Sequence, residues 1–282
     1  MEPAQSGVAT GSRAALAERS VSLAGRLLAG AGRASVVAYD LVPMVEASAI
    51  SHGLTRSGEL VVACVGDVST PVTTWRRTPL RVRLDVVKEA PEFSVRITAC
   101  AVHLLGTLHW LPDQLRDEYL ADGEVHPRVA EVAAAPGGRL GVVQTDRVLL
   151  HDCAGVTPLS FEEVVEHAAG ASGWSGFPDL DQEWAARDLV GRLTADGLGE
   201  LLRAASSGWD AAVALSSREG TACPHVDGQV YCVDVDGTGL TLMEVEKGAS
   251  AVTMLAFDEA AGTLDELADR LLQLTYEAQR TS

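Results

Sequence analysis

Lysine is nearly absent from this 282-residue chain: Lys88 and Lys247 are the only two among 22 basic residues. Basic charge as a whole is scarce, 22 Lys and Arg against 39 Asp and Glu, for a formal net charge of −17. A non-specific nucleic-acid binder needs cationic surface to displace counterions from phosphates, so that class is excluded. Long apolar runs are missing too. No window approaches the roughly 18 uninterrupted apolar residues of a membrane span. Residues 1–13 have no apolar centre of the kind a signal peptide needs. The five cysteines, Cys64, Cys100, Cys153, Cys223 and Cys232, are odd in number and scattered. They make no disulfide framework, which places the chain in the reducing cytoplasm.

Catalytic signatures are also wanting. There is no Cys-x-x-Cys and no His-Glu-x-x-His. Gly30-Ala31-Gly32-Arg33 lacks the Lys-Ser/Thr of a phosphate loop. Gly173-Trp174-Ser175-Gly176 lacks the spacing of a nucleophile elbow. The run from Asp234 to Gly239 begins like a calcium loop, but its twelfth position is Val245, and a hairpin turn is the better reading.

What is present is a globular composition, 47% apolar and 22% charged. Charge is unevenly placed. Residues 1–150 carry 15 basic and 16 acidic side chains, and residues 151–282 carry 7 and 23. Two differently charged domains are expected. Residues 1–12 read as a flexible lead. Ala17, Val21, Ala24 and Leu28 then recur at helical spacing, and the glycines after Ala29 stop the helix. From 34 to 110 short β-branched runs follow one another, with turns expected at His52-Gly53, at Ser57-Gly58 and at 88–91. Such short links imply an antiparallel meander or small barrel.

A helical excursion over 112–135, two strands at 140–144 and 147–151, and a short helix at 161–169 complete the first domain. The Gly-, Ser- and Pro-rich stretch 170–182 is the expected linker. The acidic second domain, 183–282, opens with one helix over 183–205. Strands follow, with a hairpin around Asp236-Gly237. A terminal helix is announced by the capping box that runs from Thr263 to Glu266.

Two local groups could carry chemistry. In Thr73-Thr74-Trp75-Arg76-Arg77-Thr78, Arg76 and Arg77 could clamp a carboxylate or phosphate and Trp75 could stack on a planar ring; a solvated loop is the ordinary alternative. In Cys223-Pro224-His225, a thiol and an imidazole form a soft ligand set for haem iron; an ordinary turn is the alternative. His103 and His109, six residues apart, share a face if their strand is unbroken, and His151 and Cys153 alternate onto one face. Gly106 lies between His103 and His109, and no third ligand is near them. For either pair a hydrogen-bonded or exposed histidine is the ordinary alternative, and no resident metal site and no catalytic residue is assigned.

The order of elements, with Ser94-Val95-Arg96-Ile97-Thr98 and Leu105-Gly106-Thr107-Leu108 in the meander, resembles the FMN-binding split barrel of the pyridoxamine-phosphate-oxidase superfamily. The second half is similar to the small α/β domain of HugZ-type haem oxygenases, in the hairpin Val233–Leu242, the segment Leu255-Ala256-Phe257 and the leucine-rich last helix. Plant glutamyl-tRNA-reductase-binding proteins share that arrangement. Where the family helix reads H-L-N-x-D-H, this chain has Arg192-Leu193-Thr194-Ala195-Asp196-Gly197, without either histidine, and no histidine follows His225.

The resemblance therefore implies an α+β protein, an N-terminal antiparallel split β-barrel (13–169) followed by a small α/β domain. It implies a non-catalytic binding or regulatory role first, with haem or another planar tetrapyrrole as ligand and FMN behind it. A haem-degrading oxygenase and a flavin-dependent oxidoreductase are the alternatives. Iron-ligand candidates are His103, His109, Cys223 and His225, with Trp75, Arg76 and Arg77 lining the ligand. A homodimer through the barrels is expected, and the acidic domain suits a protein partner.

Overall fold

A computed structural model describes residues 10–40, 45–65, 79–92, 94–172, 176–220 and 224–281. The chain divides into two compact units, one of Ser22–Glu183 and the other of Trp184–Ser282 with the part of the first helix up to Val21. Among the described residues no helix is long and apolar enough to cross a membrane.

Helix α1 (Thr10–Leu28) buries Val21, Ala24 and Leu28 of the predicted stripe but exposes Ala17. Every residue from Arg19 to Leu28 is buried, so burial there is not confined to one face. The helix ends where Gly30 takes φ +122°, a conformation that L side chains rarely adopt. In the larger unit, strands β1 (Arg33–Ala38), β2 (Val45–Leu54), β3 (Leu60–Val65), β4 (Leu80–Glu89), β5 (Thr98–Trp110) and β6 (Gly138–Gln144) pair in the order β4-β1-β2-β3-β6-β5. Pairing of β4 with β5 closes the ring, giving a six-stranded antiparallel barrel. Strands β7 (Arg147–Asp152) and β8 (Gly155–Ser160) extend the sheet from β5.

Strand β4 shows why the sequence folds this way. Leu80, Val82, Leu84 and Val86 point inward and are buried, while Arg81 and Arg83 alternate outward. Lys88, one of the two lysines, takes the next inward position and is buried too, with its Nζ 2.8 Å from Oε1 of Glu183. A buried ammonium is tolerated only beside such a countercharge.

Strand β5 is the hinge of the architecture. One edge pairs with β4 along nearly its whole length. The other edge is shared: Thr107–Trp110 pair with β6, and Cys100–His103 pair with β7. The sheet parts between them, at 104–106, where the Thr145 hydroxyl donates to the Leu105 carbonyl at 2.8 Å. Helices α2 (Asp113–Ala121) and α3 (Pro127–Ala134) resolve the expected excursion into two. Val129 and Ala133 of α3 pack on Val61, Ala63 and Leu140 and cover the outer side of β3 and β6. Helix α4 (Phe161–Ser172) follows β8.

The turn expected at His52-Gly53 is not there. Both residues lie inside β2, paired with Val62 and Val61. His52 is 5% exposed, and its Nε2 lies 2.7 Å from the Leu27 carbonyl. The imidazole thus caps one of the last carbonyls of α1, which have no partner inside the helix. A tertiary contact, not turn chemistry, explains this histidine.

In the other unit, β9 (Ala212–Glu219), β10 (Gln229–Asp236), β11 (Gly239–Glu246) and β12 (Ala249–Ala256) form an antiparallel sheet in the order β10-β11-β12-β9. Asp236 closes the expected hairpin, its Oδ1 accepting from the backbone N–H of Thr238 at 2.8 Å and of Gly239 at 3.2 Å. The single helix expected over 183–205 is two, α5 (Glu183–Gly191) and α6 (Ala195–Ser206). The break has a local cause: the Thr194 hydroxyl accepts from the Gly197 amide and starts a new helix. Helix α7 (Leu264–Thr281) begins at its capping threonine, with the Glu266 amide donating to Thr263 Oγ1.

Candidate functional site

Helices cover the β3–β6 side of the barrel; the outward face of β4, β5, β7 and β8 is different. Leu105 is 67% exposed there, and Val87, Leu149 and Val156 are exposed as well. By the strand registers these four side chains share one face with His103.

His103 sits in the middle of this face. Cross-strand register places Asp85 of β4 directly opposite it. Its Nδ1 lies 2.6 Å from Asp85 Oδ1. A carboxylate only accepts, so Nδ1 carries the proton and donates. The other carboxylate oxygen, Oδ2, accepts from Arg83 Nε at 2.8 Å. That bond pushes the Arg83 guanidinium further above its ordinary pKa range. From β7, His151 sets its ring edge-on to His103, with centroids 4.7 Å apart and planes at 87°. The imidazole is therefore oriented from both neighbouring strands. Its side chain is 37% exposed. Nε2, with no hydrogen-bond partner among the described residues, is the nitrogen left to bind.

At the edge of the face, Arg81 holds Asp40 through Nε at 2.9 Å and through its backbone amide at 2.7 Å. These bonds keep the Asp40 carboxyl below its usual range.

The other residues singled out from the sequence fare differently. Trp75, Arg76, Arg77 and Cys223 lie outside the described residues. His109 is half-buried on β5, opposite Val142 of β6. It shares a face with His103, as the unbroken strand requires, but six residues of strand separate them by about 20 Å. No single ion can join them. His225 is exposed in the turn before β10. His151 meets His103, not Cys153, which lies past the end of β7. Among the described residues no three metal-ligating side chains come together. Sequence reasoning missed Asp85, Arg83 and the role of His151. The alternation Arg81-Arg83-Asp85 along β4 was the one signal that could have found the first two.

No protein-family model matches the chain, and no curated protein matches its sequence. Solved structures do match. A haem-binding protein from Mycobacterium smegmatis superposes with a TM-score of 0.55 over 93% of this chain and 98% of that one, at 16% identity. The fold is a split barrel. At that identity the likeness is one of fold. Campylobacter jejuni ChuZ (TM-score 0.31, 12% identity, 56% of this chain and 65% of that one) is a more distant match. So is an FAD- and haem-binding protein from M. smegmatis (0.30, 20%, 56% and 79%). Neither adds to the argument.

Proposed function

We propose that this split barrel is a haem-binding protein, with the open face of β4, β5 and β7 as its site and His103 as the iron ligand. The observation that carries the reading is the His103–Asp85 pair: an imidazole with its proton fixed on Nδ1 and Nε2 left available, set among exposed apolar side chains. A haem brings a flat apolar ring and one metal atom. Leu105, Leu149 and Val87 suit the first, and His103 Nε2 suits the second. Arg76 and Arg77, just before β4 in the chain, remain the proposed clamp for the propionates. The haem-binding neighbour of the same fold supports the reading. Binding is favoured over turnover, because Arg192–Gly197 lacks the histidines of the resembling pattern. A second copy of the chain is the proposed cover for the apolar side chains around the site, and a monomer in light scattering with haem bound would remove that part.

Haemin titration followed in the visible spectrum tests the assignment. The purified protein should give a saturable, sharpened Soret band. His103→Ala should shift or abolish that band, while His109→Ala and His225→Ala leave it unchanged. A His103→Ala spectrum identical to that of the parent would overturn the ligand, and only the broad absorbance of free haem would overturn the function.

A further inference from the structure

We propose that Asp85 is the positioning residue that makes this site select ferric haem over ferrous haem and over metal-free porphyrin, an inference that rests on reading His103 as the ligand. The geometry is specific. Asp85 stands opposite His103 in the β4–β5 register, and its two oxygens are divided between His103 Nδ1 at 2.6 Å and Arg83 Nε at 2.8 Å. Its side chain is only 12% exposed, so water competes little for these bonds. Arg83 keeps the carboxylate in the plane it needs, and His151 limits rotation of the ring from the other strand.

Two consequences follow for the His103 ring. Its tautomer is fixed, so the lone pair stays on Nε2, and the ordering cost of presenting it is already met in the free protein. The carboxylate also draws on the Nδ1 proton and makes the ring a stronger donor. A stronger donor stabilises the more positive iron, which favours the ferric form and lowers the reduction potential. Metal-free porphyrin makes no bond to Nε2 and feels neither effect. The apolar side chains treat all three ligands nearly alike. Discrimination then belongs to the Arg83–Asp85–His103 chain.

Asp85→Asn in the full chain tests this, since an amide in place of the carboxylate removes the charge with little change in volume. Haemin affinity should fall by about 10- to 100-fold, the range for losing a partner behind a metal ligand. The reduction potential of the bound haem should rise, and affinity for metal-free protoporphyrin should not change. Asp85→Glu, which restores a carboxylate, should recover most of the potential. Equal loss of haemin and protoporphyrin binding in Asp85→Asn means a merely structural role and overturns the inference. So does an unchanged potential in a variant that still binds haemin. If His103→Ala keeps the parent spectrum, or the parent binds no haemin, the ligand reading falls and this inference falls with it. If His103→Ala loses the parent spectrum but Asp85→Asn matches the parent in affinity and potential, only the present inference fails.

Discussion

Gly106→Ala should destabilise the barrel by ~3 kcal/mol, read as a drop of about 6–12 °C in the unfolding midpoint of a unit this size. A Cβ at Gly106 would lie 2.4 Å from the Gln144 carbonyl oxygen and 3.2 Å from Val143 Cγ1. The first contact is with backbone, which has no rotamer to escape into. Gln144 is the last residue of β6, paired with Thr107, so relief means pulling β6 off β5 where the sheet parts. Gly53→Ala in β2 is the control: its Cβ would meet Val129 Cγ2 at 3.5 Å, an ordinary contact. Thermal unfolding of both variants beside the parent checks the pair. Equal midpoints would mean that β6 can shift at no cost and that the seam is looser than its geometry.

Stability should also fall as pH drops below about 6.5, and His52 should account for a separable part of the slope. Burial holds the His52 pKa below its ordinary value, although its hydrogen bond to Leu27 pulls the other way. The unfolded chain therefore takes up a proton at this position at a pH where the folded chain does not. Stability is complete above the unfolded pKa near 6.5. It is lost as pH falls from there toward the lower folded value, at up to ~1.4 kcal/mol per pH unit for one proton. His52→Gln places an amide Nε2 where the imidazole had one, keeping a donor for the Leu27 carbonyl without a titrating group. Urea unfolding between pH 7.5 and 5.0 should show the parent and the variant converging as pH falls, through the steeper slope of the parent. Parallel slopes would show that His52 titrates alike in both states.

Much of the fold was legible because it rests on local rules. The hairpin at Asp236-Gly237 and the capping threonine of α7 depend on neighbours a few residues away, and each formed as expected. One error came where a distant partner decided the outcome, the other where a local cap outweighed the apolar spacing. His-Gly at 52–53 has turn composition, but the carbonyls at the end of α1 recruit the histidine into a strand. The helix over 183–205 reads as continuous by apolar spacing, yet one threonine hydroxyl restarts it. The site was half legible. His103 could be named, because an imidazole in a strand is visible in sequence. Asp85 could not be tied to it, because the tie is a register across 18 residues of chain, and register appears only when the barrel closes.

The shared edge of β5 also bears on how the molecule opens. A strand with partners on both sides has its amides turned into two ladders, and they can exchange hydrogen with water only when a neighbour leaves. Strand β8, at the end of the sheet with β7 as its one neighbour in the strand order, can fray without disturbing the ring. Strand β5 cannot. Releasing it removes the partner of β4, β6 and β7 in one event, and the barrel closure goes with it. Its amides outside the gap at 104–106 therefore report the free energy of opening the whole barrel, while those of β8 report a local excursion. The strand that carries His103 thus opens only with the barrel, and fraying of β8 leaves its pairing with β4 in place.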